Sequence, residues 1–409
     1  MEIELRPIAP EELAAVMRLD DRAFGVRATP EEVEERREMF VFDGSLAAIA
    51  DGEMVGTAMA FTFELTLPGG ALLPVPAISW VAVAPSHRRK GILTTLMRRQ
   101  LSDLRERSEA LAILNASESA IYGRFGYGIA SQSVSYTIEK PFARLAVPWD
   151  GAGRLRIVEH EQAMQIFPPL YDQIRRRQPG RIGRDAAYWR FWLADPDKPV
   201  QGAGPRFYVT YTSPDGALQG AVNYRIKREW EEGVPNSQAQ ARDLLALTTQ
   251  ASAALWTYLF TLDLTASVRA LAMPVDDPVR WMVTDPRRLR VSGLNDDLWL
   301  RLIDIPRALA ARRYFAPGRL VIEVRDDFLP ETSGRYLLDG GPDGADCHRT
   351  TEEPGLALSV ADLGAAYLGG VRFSTLAQAG RVHELRPGAV HQADAIFQTE
   401  TLPYCGSPF

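Results

Sequence analysis

The stretch from Ile78 to Leu101 restricts what this chain can become more than any other. Ile78 to Ala84 is short, apolar and rich in valine and alanine, and Pro85 ends it, which is the pattern of a buried strand. From Ile92 the apolar residues Ile92, Leu93, Leu96, Met97, Leu101 and Leu104 recur at helical steps. Polar Arg98, Arg99 and Asp103 fall between them, so the spacing predicts an amphipathic helix. The junction is basic and contains one glycine: Arg88, Arg89, Lys90, Gly91. The first amides of a helix have no internal acceptor, and the helix dipole makes that end partly positive. Gly91 lets a backbone approach a ligand, and the three cations add formal charge. A solvated basic turn is the plain alternative, but a strand, a turn and a helix in this order favour a seat for phosphate or pyrophosphate.

About twenty residues on, Leu111 to Leu114 read as a second buried strand. Ser117 or Ser119 is expected to cap a short helix, with Gly126 and Gly128 at its end. Arg88-x-x-Gly91-x-Leu93 resembles the coenzyme A pyrophosphate loop of the GNAT acetyltransferases, with Leu93 where a small residue is usual. Tyr122-Gly-Arg-Phe-Gly126-Tyr127 resembles the tyrosine pattern of the same enzymes. A tyrosine suits that place chemically: amine attack on a thioester expels a thiolate, to which a positioned phenol can donate a proton. The wording of both halves, from Val81 through His87 to Gly91, then Ala116-Ser-Glu118, then Ile121 to Gly128, is similar to the Eis (enhanced intracellular survival) acetyltransferases of actinobacteria, and the similarity runs the length of the chain.

That resemblance implies a set of roles. The strand at Leu111 parts from its neighbour and admits the thioester. Main-chain groups of Val81, Ala82 and Val83 pair with the pantetheine arm. Arg88, Arg89, Lys90, Gly91, Ile92 and Leu93 hold the pyrophosphate, with Asn115 and Ser117 as further coenzyme contacts. Tyr122 is the catalytic acid. Phe24 and Trp80 border the acceptor pocket, and Asp21, Glu35 and Met39 are weaker candidates for it.

Composition bounds the rest. At 409 residues the chain exceeds one hydrophobic core and suggests two or three domains. A net charge of −6 argues against general nucleic-acid binding and favours cationic small substrates. Cys347 and Cys405 form neither a disulfide framework nor a zinc spacing, and His87, His160, His348, His383 and His391 show no metal-ligand pattern. The N-terminus lacks a signal sequence and no apolar run reaches membrane length, so a cytoplasmic protein without membrane or nucleic-acid partners is expected.

The expected class is α/β (α+β) in three domains. Residues 1–145 are expected to form the catalytic GNAT domain, with helices over Pro10–Phe24 and Pro30–Met39 and a strand at Phe40–Asp43. The Pro/Gly-rich segment Val147–Gly153 marks its end. Residues 146–294 repeat the order of elements, but Thr249-Gln-Ala-Ser follows the Leu244–Thr248 strand where a coenzyme loop would stand, so a degenerate second GNAT-like domain is expected. Residues 295–409 resemble the sterol-carrier-protein-like domain that closes the Eis architecture.

Unlike most chains, whose tails are polar and frayed, this one finishes on Leu402, Pro403, Tyr404 and Phe409, which suggests a docked segment. The resemblance implies that the α-carboxylate of Phe409 takes the proton from the attacking amine; attraction of a cationic acceptor and apolar anchoring are the other roles it could fill. The expected activity is acetyl transfer from acetyl-CoA, a co-substrate, to primary amines by direct attack in a ternary complex, without a metal. No cysteine lies near the signature to carry an acetyl-enzyme. Aminoglycoside-like acceptors or lysine side chains, and a homo-hexamer, follow from the resemblance alone. A coenzyme-A-responsive regulatory protein with weak catalysis is the alternative, and the intact loop together with Tyr122 counts against it.

Overall fold

The computed structural model describes residues 2–27, 29, 33–34, 37, 40, 42–195 and 202–409. Most of the helix expected over Pro30–Met39, including Glu35 and Met39, lies outside them. The chain divides into two compact units, one of residues 1–131, 178–183 and 296–409, the other of residues 132–177 and 184–295.

In chain order the first strands are β1 (Glu4–Arg6), β2 (Leu46–Ala50), β3 (Glu53–Thr66), β4 (Leu72–Val83), β5 (Leu111–Leu114), β6 (Gly128–Ile129) and β7 (Gln132–Glu139). The middle of the chain carries β8 (Arg154–Val158), β9 (Arg206–Thr212), β10 (Leu218–Lys227), the small hairpin β11 (Trp230–Glu231) and β12 (Val234–Pro235), β13 (Ser237–Ala246), β14 (Thr265–Pro274), β15 (Arg290–Asp296) and β16 (Trp299–Leu302). Last come β17 (Gly318–Arg325), β18 (Gly334–Gly341), β19 (Gly344–Arg349), β20 (Leu356–Ser359) and β21 (Val382–Glu384).

The sheet of the first unit runs β1-β2-β3-β4-β5-β16-β6, with β4 and β5 parallel. The sheet of the second unit, read from β8, runs β8-β9-β10-β13-β14-β7-β15, with β13 and β14 parallel. The two sheets therefore share one plan, and each takes one strand from a distant part of the sequence. β16 enters the first sheet between β5 and β6, pairing Trp299 with Leu114 and with Ile129. β7 enters the second, pairing Ile138 with Val268. From sequence, Val134–Ile138 reads as the closing strand of the N-terminal sheet, and Leu298–Ile305 as the lead-in to the C-terminal domain. Alternation along a strand fixes which faces are apolar and leaves the neighbour open, so the exchange is invisible to pattern.

Inside the first unit the C-terminal residues complete the core. A five-stranded sheet, β19-β18-β17-β20-β21, packs with the helices Ile305–Ala311, Val360–Tyr367, Phe373–Gln378 and Ala389–Phe397. One buried cluster joins Leu111 and Ile113 of β5 to Leu300 and Leu302 of β16 and to Leu320, Ile322, Leu363 and Tyr367. Each such side chain contributes about 1.5–3 kcal/mol on burial, so β5 is pinned rigidly at the centre of the sheet. The helix Val360–Tyr367 is buried at every residue and reaches β6 and β16 through glycines. A Cβ on Gly128 would stand 1.9 Å from the Ala361 carbonyl oxygen, and one on Gly364 would stand 2.4 Å from that of Leu300.

Because the obstacle at Gly128 is backbone, no side-chain rotation relieves it. Gly128→Ala is expected to cost about 1–3 kcal/mol, read as a lower midpoint in a thermal melt of the full chain. An unchanged midpoint would contradict this packing.

Candidate active site

β4 and β5 touch only briefly. Their parallel register consists of Ala77 with Ile113 and Ile78 with Leu114; β5 then ends while β4 continues to Val83. Between Thr57/Ala82 and Met59/Ser79 the β3–β4 register slips, so that Trp80 and Val81 together oppose Ala58. This is a β-bulge, and Trp80 adopts a left-handed φ of 50° within it. Bulges bend and twist the strand that carries them, which turns the last residues of β4 away from β5. Ala84 N–H donates to Val55 on β3. By strand alternation Ala82 faces β3 as well, and the main-chain groups of Val81 and Val83 face the opening beside β5. Pro74 and Pro76 are tolerated in β4 for a related reason: both precede the pairing with β5, so their missing N–H groups break no ladder on that side.

Beyond β4 a short turn at Pro85–His87 leads to the helix Ile92–Glu106. Arg89 has φ of 63° and Gly91, the N-cap, φ of 84°. Among the described residues no side chain caps that helix, so the amides of its first turn are left for another acceptor. Arg88, Arg89, Lys90 and Gly91 are exposed, Ile92 is buried and Leu93 half-buried. A Cβ on Gly91 would meet nothing within 4 Å, so the glycine answers to its backbone angle and not to crowding. A different glycine sets how close the helix lies: a Cβ on Gly56 of β3 would be 2.9 Å from Ile92 Cγ2. The Arg88 guanidinium donates to the Ala23 carbonyl (2.9 Å) near the C-terminus of the helix Leu13–Phe24. It braces the turn against that helix end, whose dipole favours a cation.

The junction after β13 in the second unit is built differently. Only Leu247 and Thr248 separate β13 from the helix Thr249–Thr261, and the Thr248 hydroxyl accepts the Ala251 amide, so the helix start is closed by its own chain.

Tyr122 ends the one-turn helix Ser119–Tyr122, whose N-cap is Glu118 in place of the expected Ser117 or Ser119. The ring is 6% exposed, edge-on to Phe125 and Tyr127 with centroids 6.5 and 6.2 Å away. Ile78, at the last β4–β5 pair, belongs to the same buried cluster. Burial pushes the Tyr122 phenol up to about 12, so it is a neutral donor at any ordinary pH. Ser117 is exposed nearby. Asn115 follows β5 directly, and its side chain is engaged within the chain: Nδ2 donates to the Asp297 carbonyl, and Oδ1 accepts the Phe409 amide (3.2 Å).

The docked C-terminal segment is held at that same strand end. The half-buried Asp297 carboxylate accepts Cys405 N–H (2.8 Å), Gly406 N–H (3.1 Å) and the Ser131 hydroxyl (3.1 Å). Tyr404 N–H donates to Pro179, and Arg181 lies over the Tyr404 ring at 4.7 Å. The Phe409 ring meets that of Phe63 on β3 at 5.4 Å. Trp80 is half-buried with its ring 4.9 Å from that of Phe40, whereas Phe24 is 53% exposed at its helix end. Sequence reasoning missed Asp297, which sits in an acidic run, Asp296-Asp297, with nothing to set it apart from solvated residues.

Residues 4–130 match a GNAT acetyltransferase domain model, residues 180–302 a second one, and residues 305–406 a sterol carrier protein domain model. An uncharacterized N-acetyltransferase of Streptomyces avermitilis is 42% identical over 386 residues, 94% of each chain. The N-acetyltransferase Eis of Mycobacterium tuberculosis is 32% identical over 383 residues, covering 91% of this chain and 90% of that one. The chain belongs to the Eis family of GNAT acetyltransferases. The structure of Eis1 from Mycobacterium abscessus matches it with a TM-score of 0.86 at 35% identity, over 99% of this chain and 100% of that chain. GNAT acetyltransferases, the class to which this chain belongs, use acetyl-CoA as co-substrate. Among the described residues no group of His, Cys, Asp and Glu has metal-binding geometry, and no helix is long and apolar enough to cross a membrane.

The raised phenol pKa gives a pH expectation. An acid whose pKa is raised stays protonated until the pH approaches the new value, so kcat is expected to level off without falling between about pH 8 and about pH 10. An alkaline limb that vanishes in Tyr122→Phe would contradict it.

Proposed function

We propose that this protein acetylates primary amines of cationic, multi-amine acceptors by direct attack in a ternary complex, with aminoglycoside-like polyamines as first candidates and lysine side chains as second. The observation that carries this reading is the parting of β4 from β5 directly after Ile78 and Leu114, with buried Tyr122 in the same apolar cluster as Ile78 and an uncapped helix start at Gly91. In this reading the pyrophosphate lies on the amides of Gly91 to Leu93 with Arg89 and Lys90 as counter-charges. The pantetheine arm pairs with Val81 and Val83 as a short extra strand, alongside Ala82, and Asn115 and Ser117 flank it. Trp80 and Phe24 border the acceptor.

The amine nitrogen attacks the thioester carbon and a C–N bond forms. As the tetrahedral intermediate collapses, the C–S bond breaks and the Tyr122 hydroxyl gives its proton to the departing thiolate. The proton lost by the ammonium goes to the carboxylate of Phe409, which the Asn115–Asp297 contacts hold at the end of β5. Solvent then restores the phenol. A homo-hexamer and a cytoplasmic location belong to the same proposal.

A panel of polyamines, aminoglycosides and lysine peptides, assayed with acetyl-CoA for thiol release, tests it. At least one amine should be acetylated, and Tyr122→Phe should lower kcat by about 10²–10⁴-fold with KM for acetyl-CoA little changed. Residues appended after Phe409 should lower kcat as well. Full turnover by Tyr122→Phe would remove the phenol from the mechanism, and full turnover by a folded, extended chain would remove the carboxylate.

A further inference from the structure

Tyr122 sits on a support too short to hold itself. The helix Ser119–Tyr122 is one turn, followed by a 3₁₀ turn over Gly123–Phe125 and the left-handed Gly126. A single turn is far below the length at which helix formation sustains itself, so its geometry must be imposed from outside. The carbonyl at its end, that of Phe125, accepts a hydrogen bond from the Arg301 guanidinium. Arg301 is fully buried on β16, the strand that enters this sheet from the C-terminal part of the chain.

Arg301 is itself fixed on its far side by the Asp326 carboxylate, also fully buried. The other oxygen of Asp326 accepts the amides of Phe328 (3.0 Å) and Leu329 (2.9 Å). That orders the turn so that the Phe328 ring meets Phe125 edge-on at 5.0 Å, and Arg98, from the coenzyme helix, covers the Phe328 ring at 4.6 Å. Gly126 admits the guanidinium, since a Cβ there would fall 1.6 Å from Arg301 Nη1. The turn bearing Tyr122 is thus gripped at its last carbonyl by a cation and at Phe125 by an aromatic contact, and both lead back to Asp326.

We propose that Arg301, held by Asp326, is a positioning residue for acetyl transfer: it fixes the Phe125 carbonyl and through it the place of the Tyr122 hydroxyl. The inference rests on Tyr122 being the proton donor. Two apolar side chains in place of a buried ion pair of this kind often leave stability unchanged or raised, so stability alone gives little reason for the pair. A hydrogen bond aimed at one carbonyl does what an apolar contact cannot, because it is directional, and small displacements of a catalytic group are costly in rate.

The test is a double-mutant cycle in kcat on the full chain. Arg301→Met, and Arg301→Met combined with Asp326→Leu as a version that leaves no unpaired buried charge, are each made in the wild-type and Tyr122→Phe backgrounds, with thermal melts to confirm folding. Each should lower kcat by about 10-fold or more in the wild-type background, with KM for acetyl-CoA within about twofold, and should lower it no further once Tyr122 is Phe. Losses that multiply in the Tyr122→Phe background would overturn the positioning role, as would a folded double variant with wild-type kcat. Tyr122→Phe alone with wild-type kcat would instead mean that the donor assignment had failed.

Discussion

The interaction that the site depends on is a pairing that stops early. Two parallel strands at the centre of a sheet normally exchange hydrogen bonds along their length, and unpaired main-chain groups in such a place are costly. Here β4 and β5 share only Ala77–Ile113 and Ile78–Leu114. The bulge at Trp80 bends β4 away, and among the described residues no strand lies beside the groups of Val81 and Val83 on that side. A slender amide-bearing chain is the kind of ligand that satisfies such groups, by the same geometry that adds a strand to a sheet edge. The uncapped helix start at Gly91 lies in the chain directly beyond that edge, so one continuous segment offers donors for an arm and for a diphosphate.

A gap in the middle of a sheet has to be held open by something else, and the C-terminal part of the chain does this within the first unit. β16 pairs with β5 from Trp299–Leu114 to Leu302–Leu111, on the side away from β4. The helix Val360–Tyr367 presses on β6 and β16 through Gly128 and Gly364. Asp297, just before β16, gathers the amides of Cys405 and Gly406, and its own carbonyl holds Asn115. β16 and the residues just before it therefore carry the supports of both proposed proton-transfer groups: Asp297 toward Phe409, and Arg301 toward the turn of Tyr122. The sterol-carrier-like part supports the acetyltransferase sheet through these contacts, and its fold by itself says nothing of lipid.

Much of this was legible in the sequence, and for identifiable reasons. The β4–turn–helix segment announces itself because valine and alanine bounded by Pro85 have one sensible conformation and the apolar period from Ile92 has another. The short helix that ends at Tyr122 was legible through its glycine neighbours, and the docked tail through its apolar residues. The missing coenzyme loop of the second unit was legible too, and the structure adds the reason the helix start is closed: Thr248 caps it. The strand exchange of β7 and β16 was not legible, since neither strand's composition names its neighbour. Nothing in the sequence sets Asp297, Arg301 or Asp326 apart; only the fold reveals that Arg301 and Asp326 are buried and Asp297 half-buried. Arg88 shows the opposite limit. Its place in the motif was evident, but its side chain turns to the Ala23 carbonyl and braces the turn.

The most direct measurement is amide hydrogen exchange on the full chain with and without coenzyme A. Main-chain recognition predicts added protection concentrated at Val81, Val83 and the first turn after Gly91, with the β13–helix junction at Leu247–Thr249 unchanged. Binding that leaves those amides exchanging as before, or protects the second unit instead, would contradict it.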